Sequence, residues 1–270
     1  MNLKSVSRNV VSLTVGGAKE TFGYNRLNEL TSASGPWGSL TYKYDGAGNM
    51  VQMTNGTTTT TYGYNSNNEL TKVDGSAKGY SYNGDGDMLN NSVWTYKYNY
   101  ADEMTEAYRS GKLVQTNYYD GDGRRVAQTT AGGTVLYAYE GSTVLYEDNV
   151  TSNTQVDNVY GDGMQVAQIM GGVVYYVMPD GLGSVRLVMA SNGGDTFKTG
   201  YAPYGQAYSS TGKQTTMYTG QLYDSATGLY LMGARFYDPA LGGSSRRTCT
   251  QGFFLTLRPR TGTSMRGTTR

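Results

Sequence analysis

The sequence predicts an all-β protein built from antiparallel hairpins, and three observations support this. Tyrosine occurs 26 times and glycine 38 times in 270 residues, so residues that favour strands and turns dominate the composition. Pairs of tyrosines recur two residues apart, and an Asx residue follows each pair. Leucine, alanine and glutamate are too sparse for long amphipathic helices.

The tyrosine pairs belong to a repeat with a period of about twenty residues, which is typical of repeat architectures. A Tyr-Asx step opens each copy, and a glycine or asparagine follows three or four residues later. The Asx residues of the repeat are Asn25, Asp45, Asn65, Asn83, Asn99 and Asp120. An Asx side chain starts a turn by binding its own downstream backbone, and the following glycine accepts a positive φ.

Each copy therefore predicts a strand, a tight turn and a return strand. Tyr42 and Tyr44, for example, point to one face of their strand because side chains alternate along a strand. The return strands are predicted to begin at Leu30, Met50, Leu70, Met88, Met104 and Val126. Stacked copies would line one face of a sheet with tyrosines. Isolated hairpins are marginally stable, so the array must be long or closed.

The repeat divides the chain into three regions. Residues 1–133 hold about six copies, and we expect this array to be truncated at its N-terminus. Residues 134–242 form a core region, in which the stretch from Thr134 to Met178 shows plainer alternation, with turns predicted at Gly132-Gly133 and Gly171-Gly172. Residues 243–270 form a tail of different character, which we expect to be disordered.

An ordered series of residues between 173 and 242 carries a family signature. Its members are Tyr176, Pro179, Asp180, Gly181, Leu182, Gly183, Ser184, Arg186, Tyr204, Gly205, Gly220, Asp224, Gly228, Leu229, Tyr230, Arg235, Tyr237, Asp238 and Pro239. With the Tyr-Asx steps, this series resembles the RHS/YD-repeat family. That family includes bacterial polymorphic toxins, insecticidal toxin-complex components and, more distantly, the teneurins. The resemblance covers residues 10–242.

This resemblance implies that the hairpins form part of a spiral β-shell, whose RHS core closes one end. It also implies a structural role in encapsulation, with the rest of an RHS shell or an enclosed effector as partner. We expect this chain to be a truncated remnant without its effector. The alternative is an adhesion or carbohydrate-recognition module that binds a glycan or cell-surface ligand through exposed tyrosines. Relatives are secreted or at the cell surface, but this chain begins without a secretory leader, which predicts a cytoplasmic fragment.

The composition argues against most enzymes and metal sites. The chain has no histidine, so a Ser-His-Asp triad at Ser184 is excluded, and its single cysteine, Cys249, excludes a thiolate metal cluster. Residues 83–87 and 120–123 resemble Ca²⁺ loops but lack the helical context and the bidentate glutamate, so we interpret them as turns. We therefore predict no catalytic residue, cofactor or metal. Asp180, Arg235 and Asp238 are the candidates for polar contacts in the core.

The remaining partner predictions follow from charge and hydropathy. Residues 1–242 carry 16 basic and 21 acidic residues, which disfavours nucleic-acid binding. The longest apolar run, residues 173–178, is too short to insert into a membrane. We also expect no self-cleavage, because the aspartate-containing segment that follows the core in relatives is missing after Gly242.

The tail carries six arginines and no acidic residue. If each codon from Gly242 onward is reread from its third base, the genetic code permits Gly-Arg-Phe and later Asn-Asn-Pro. Both stretches occur in this order at the end of the RHS core in relatives. We therefore predict that residues 243–270 are a frameshifted translation. The alternative is a genuine basic arm that binds nucleic acid.

Overall fold

The computed structural model describes residues 8–76, 79–244 and 256–257. Within these residues the regular structure is antiparallel β-strand, apart from one 3₁₀ turn at Tyr218–Gly220. The predicted all-β fold class is confirmed. The described residues include no helix of the length and apolarity needed to span a bilayer.

Two large sheets contain 21 of the strands, and in each sheet neighbours along the chain are neighbours in space. The seven-stranded sheet consists of β2 (Ser12–Val15), β3 (Ala18–Tyr24), β4 (Leu30–Gly35), β5 (Gly38–Tyr44), β6 (Met50–Asn55), β7 (Thr58–Tyr64) and β8 (Leu70–Val73). The fourteen-stranded sheet consists of β9 (Tyr80–Tyr82), β10 (Met88–Asn91), β11 (Trp94–Tyr98), β12 (Met104–Arg109), β13 (Lys112–Tyr119), β14 (Arg125–Thr130), β15 (Gly133–Glu140), β16 (Thr143–Asn149), β17 (Thr154–Gly161), β18 (Met164–Met170), β19 (Val173–Pro179), β20 (Val185–Ala190), β21 (Asp195–Tyr201) and β22 (Ala207–Thr211).

Two smaller sheets complete the described chain. The C-terminal sheet contains β23 (Leu222–Asp224), β24 (Leu229–Met232), β25 (Arg235–Asp238) and β26 (Gly243–Ser244). A two-stranded sheet pairs β1 (Arg8–Asn9) with β27 (Thr256–Leu257). The rest of the tail, on which the predictions of disorder and frameshift rest, lies outside the described residues.

The turn after Tyr44 shows how the repeat encodes a hairpin. Asp45 Oδ1 accepts the N–H groups of Ala47 and Asn49, both at 2.9 Å, and Gly48 has a φ of +84°. The register between β5 and β6 shifts at Tyr44, which pairs with Met50. The polar side chain and the glycine together therefore let the strand reverse in five residues.

The fourteen-stranded sheet is continuous across residues 133 and 134, where the sequence pattern changes. β14 ends at Thr130 and β15 begins at Gly133, while Gly171 and Gly172 join β18 to β19. The change of pattern therefore falls within one sheet. The division into an array and a core region stays a prediction about sequence character.

One face of both large sheets packs around the chain's own residues 216–241. Three apolar clusters make this core, and each contains side chains from that segment. The segment contributes Leu222, Leu229, Leu231 and Phe236 to the first cluster, Leu241 to the second, and Met217, Tyr218, Tyr230 and Tyr237 to the third. Burial of these side chains is the main source of stability available to the sheets.

Candidate functional site

A ladder of tyrosine hydroxyl groups links each hairpin to the one before it. Tyr44 donates its hydroxyl to the carbonyl oxygen of Leu30 at 2.7 Å, and Tyr64 donates to that of Met50 at 3.0 Å. The tyrosines of this ladder are Tyr24, Tyr44, Tyr64, Tyr82, Tyr98, Tyr119, Tyr139, Tyr160 and Tyr201. Their acceptors are the carbonyls of Val10, Leu30, Met50, Leu70, Met88, Met104, Arg125, Val144 and Val185.

Two ladder tyrosines, Tyr139 and Tyr160, lie in the stretch from Thr134 to Met178, where the sequence pattern shows no clear repeat. Tyr139 and Tyr160 are each followed by a residue other than Asx, so the Tyr-Asx step misses them. Both occupy the register shift of their hairpins, as Tyr44 does. The tyrosine spacing of about twenty residues continues through them and was the signal that could have found them.

The ladder hydroxyls are protonated donors at neutral pH. Burial raises the pKa of Tyr139 to about 12, although the Arg125 guanidinium opposes that rise. Burial, reinforced by the Glu147 carboxylate, raises the pKa of Tyr160 to about 12 as well. Each phenol can therefore donate to a carbonyl, which has no proton of its own.

The Asx residues of the repeat follow ladder tyrosines and hold the turns closed. Asn83 Oδ1 accepts the N–H groups of Asp85 at 3.0 Å and Asp87 at 2.8 Å. Asp120 binds its turn in the same way, and hydrogen bonds from the Arg124 backbone lead the contacts that lower its pKa. The same arrangement occurs at Asn25, Asn65 and Asn99. The Oδ1 atoms of Asn83 and Asp120, in the two stretches that resemble Ca²⁺ loops, therefore accept backbone N–H groups of their own turns.

Asp180 organises the turn between β19 and β20 and connects it to other elements. Its Oδ2 accepts the Arg186 Nε–H at 2.8 Å, and Arg186 Nη2 lies 3.8 Å from Glu20 Oε2 on β3. Burial raises the pKa of Glu20, and Arg186 opposes that rise. Ser184 Oγ accepts the backbone N–H of Thr219 at 3.1 Å. The turn thus joins the seven-stranded sheet to the 3₁₀ turn.

Tyr204 and Gly205 connect the C-terminal sheet to β5. The hydroxyls of Tyr204 and Tyr44 lie 2.5 Å apart, and Tyr237 donates to the Tyr204 carbonyl at 2.8 Å. Tyr230 donates to the Gly205 carbonyl at 3.0 Å. Gly205 has a φ of +86°, and an added Cβ would lie 2.5 Å from an aromatic ring carbon. Glycine is therefore required at this crossing.

A buried ion pair joins the fourteen-stranded sheet to the C-terminal sheet. Arg125 donates through both terminal nitrogens to the Asp224 carboxylate, and the exposed fractions of the two side chains are 0% and 1%. Gln115 Nε2 donates to the same carboxylate at 2.6 Å. Burial alone would lower the pKa of Arg125, but the Asp224 carboxylate holds it above its usual value.

Arg125 also corrects a detail predicted from the sequence. The pattern predicted that Val126 begins the return strand, but β14 begins at Arg125, which pairs with Tyr119 and is buried. A buried cation is tolerated because Asp224 neutralises it. Both residues belong to patterns visible in the sequence, but nothing in their local spacing indicates that they meet.

The other predicted core residues lie in or beside the C-terminal sheet and the Asp180 turn. Arg235 begins β25 and forms no ion pair within residues 8–76 and 79–244. Asp238 Oδ1 accepts the Ala240 N–H at 2.9 Å, and burial raises the pKa of Asp238. Pro239 follows and lines a cavity of about 260 Å³. The remaining residues occupy turns or β24: Gly181, Leu182, Gly183, Gly220, Gly228 and Leu229.

A second, larger cavity of about 680 Å³ lies where hairpin turns of the fourteen-stranded sheet face the C-terminal segment. We call it the turn cavity. Its walls include Tyr139, Tyr160 and Gln165 from the sheet, Leu182 from the turn after β19, and Leu222 from β23. Both aromatic and polar groups therefore reach its surface.

Comparison with known proteins places the chain among YD-shells. The family model described as teneurin YD-shell matches residues 2–247. The tRNA3(Ser)-specific nuclease WapA of Bacillus spizizenii is 28% identical over 232 residues, which cover 81% of this chain and 10% of that protein. Teneurin-1 of Gallus gallus is 32% identical over 173 residues, which cover 58% of this chain and 6% of that protein. The chain thus spans about a tenth or less of these relatives.

Solved structures share the fold. The crystal structure of TcdB2-TccC3-TEV matches with a TM-score of 0.55 and 19% identity, covering 85% of this chain and 16% of that one. The crystal structure of TcdB2-TccC3 without its hypervariable C-terminal region gives a TM-score of 0.54 and 18% identity, covering 88% and 16%. The antiparallel hairpins are therefore an arrangement that both of these larger proteins contain.

Proposed function

Because the chain belongs to the teneurin YD-shell family, we propose that it is the encapsulating end of an RHS-type shell, with a structural role. Its partners would be the rest of such a shell or an effector segment held inside it. Secretion or surface display would belong to the complete protein.

The observation that carries this proposal is the burial of the chain's own C-terminal segment against the inner face of both sheets. Tyr230 is 0% exposed and Phe236 is 1% exposed, and each belongs to a cluster built by strands of the fourteen-stranded sheet. The inner face of the sheets packs against one segment of polypeptide, so it has the side chains needed to pack against another. Apolar side chains supply the burial, and the ladder leaves few hydroxyls unpaired.

Hydrogen exchange of the full chain, read by mass spectrometry, tests this enclosure. Amides of β24 and β25 should exchange only by global unfolding, whereas those of the exposed edge strand β22 should exchange quickly. Phe236→Ala should also weaken protection in β12, whose residues share its cluster, while Tyr118→Ala on the exposed face should not. Exchange of β24 as fast as that of β22 would contradict the proposal.

Sequencing the reading frames on both sides of the gene tests whether an effector is a partner. An adjacent toxin and immunity gene pair supports encapsulation, and its absence from both sides counts against the effector as partner. A purely structural role also predicts that the purified chain does not cleave itself. Intact mass should stay constant on incubation, and a defined pair of fragments would contradict that role.

A recognition module is the second candidate, favoured by tyrosines on the outer face. Tyr118 is 54% exposed and pairs with Ala127, while Tyr176 is 50% exposed and pairs with Ala167. Opposite an alanine, each ring remains accessible, and exposed tyrosines are frequent in binding surfaces. A glycan array would separate the candidates: specific binding that a Tyr118→Ala, Tyr176→Ala double variant loses would favour recognition, and no binding would favour the shell.

A further inference from the structure

The tyrosine ladder lacks one rung, in the hairpin of β19 and β20. In the ladder hairpins the register shifts at a tyrosine, but here it shifts at Pro179. Pro179 pairs with Val185, six residues further on, as Tyr44 pairs with Met50. Proline has no hydroxyl, so it cannot donate to the carbonyl of the preceding hairpin.

The carbonyl left without a tyrosine partner is that of Gln165. Each ladder acceptor from Leu30 onward is the residue that pairs across the register shift of the preceding hairpin, and Gln165 pairs with Tyr160 in this way. This hairpin therefore lacks the inward phenol ring of the ladder.

The turn cavity is lined by residues on both sides of the position where the ladder has no tyrosine. Tyr160 and Gln165 line it from the preceding hairpin, and Gly181 and Leu182 line it from the turn that follows Pro179. Its volume of about 680 Å³ exceeds that of a phenol ring. The cavity thus lies where the repeat would have placed a tyrosine.

Two buried polar atoms beside this cavity lack hydrogen-bond partners among the described residues. They are Gln165 Oε1 and Arg125 Nε, and both residues line the cavity. Buried polar groups of folded proteins are nearly always paired, so the side chains behind this lining are not fully hydrogen-bonded among the described residues.

We propose that the turn cavity binds a tyrosine side chain presented by another polypeptide segment. The incoming hydroxyl donates to the Gln165 carbonyl, and the ring packs against Tyr160 and Leu182. A tyrosine is favoured over other ligands because the fold itself repeats this interaction nine times, with a phenol between successive hairpins and a main-chain acceptor. This inference does not depend on the encapsulation proposal.

Ligand-observed NMR with the full chain tests the ligand class. N-acetyl-L-tyrosinamide should bind, and N-acetyl-L-phenylalaninamide should bind roughly two- to tenfold more weakly, because it lacks one hydrogen bond. Methyl glucoside tests a sugar as occupant. Equal binding of the two amides, no binding of the tyrosinamide, or preferential binding of the glucoside would overturn the proposal.

Variants at Pro179 place the binding site. Pro179→Tyr should supply the missing rung from within the chain and abolish tyrosinamide binding, whereas Pro179→Ala should leave the rung empty and retain binding. If Pro179→Tyr does not fold, Leu182→Trp narrows the same cavity and should weaken binding at least tenfold. Undiminished binding by a folded Pro179→Tyr or Leu182→Trp variant would refute the assignment.

Discussion

Replacing Asp224 with alanine should destabilise the protein more than a typical core substitution, because the Arg125 guanidinium would stay buried without its carboxylate. The pair is bidentate, both side chains are at most 1% exposed, and Gln115 loses its acceptor as well. Removing one partner of such a pair costs about 3–5 kcal/mol. In a domain of this size, each kcal/mol lowers Tm by roughly 2–4 °C, so the expected fall is roughly 6–20 °C.

Thermal unfolding followed by circular dichroism measures this fall, with two controls. Glu106→Ala breaks the exposed pair with Lys97 and should leave Tm almost unchanged, because solvent screens that pair. The double variant Arg125→Met, Asp224→Leu should recover most of the loss, because no charge remains buried. A fall below 2 °C for Asp224→Ala, or a double variant no more stable than the single one, would refute the reasoning.

Three further predictions address the ladder, pH dependence and the tail. Tyr64→Phe removes one ladder hydroxyl and should cost about 0.5–1.5 kcal/mol in urea unfolding, whereas Tyr118→Phe, on the exposed face, should cost nothing measurable; equal effects would contradict the ladder. Burial raises the pKa of Glu147 in the folded state, so its contribution to stability is present below about pH 4 and is lost as pH rises through the folded pKa. Glu147→Gln should therefore raise Tm at pH 7 and leave it unchanged near pH 4, and a lower Tm at pH 7 would contradict this. In the gene, the displaced frame from the Gly242 codon should encode Gly-Arg-Phe and end near Asn-Asn-Pro, and an early stop codon there would support the basic arm.

The hairpins could be predicted from the sequence because their determinants are local. Asp45 and Gly48 lie three residues apart and form one turn, so their spacing alone carries the information. The ladder could be predicted only in part, because Tyr139 and Tyr160 keep their positions while their turns use other residues. The local sequence pattern therefore predicts the turns better than it predicts the contacts between hairpins.

The candidate site depends on contacts that local pattern cannot predict. Arg125 and Asp224 are 99 residues apart, and their pairing follows from how the C-terminal segment packs against the sheet. The Gln165 carbonyl is a main-chain group, so the residue type at that position does not indicate that it accepts a hydrogen bond. Pro179 could be identified from the sequence as part of the family signature. That it replaces a ladder tyrosine, and so removes a hydroxyl donor, becomes apparent only when its register position is compared with those of the nine tyrosines.

Because the ladder acceptors are main-chain carbonyls, the architecture can change length by whole hairpins. Each tyrosine reaches back only to the preceding hairpin, and the separation from its acceptor varies from 10 residues at Tyr98 to 16 at Tyr160. When a hairpin is added or deleted, the hairpins that become neighbours still offer a tyrosine hydroxyl on one side and a main-chain carbonyl on the other. Duplication of a gene segment could therefore lengthen the array without any compensating change in side chains.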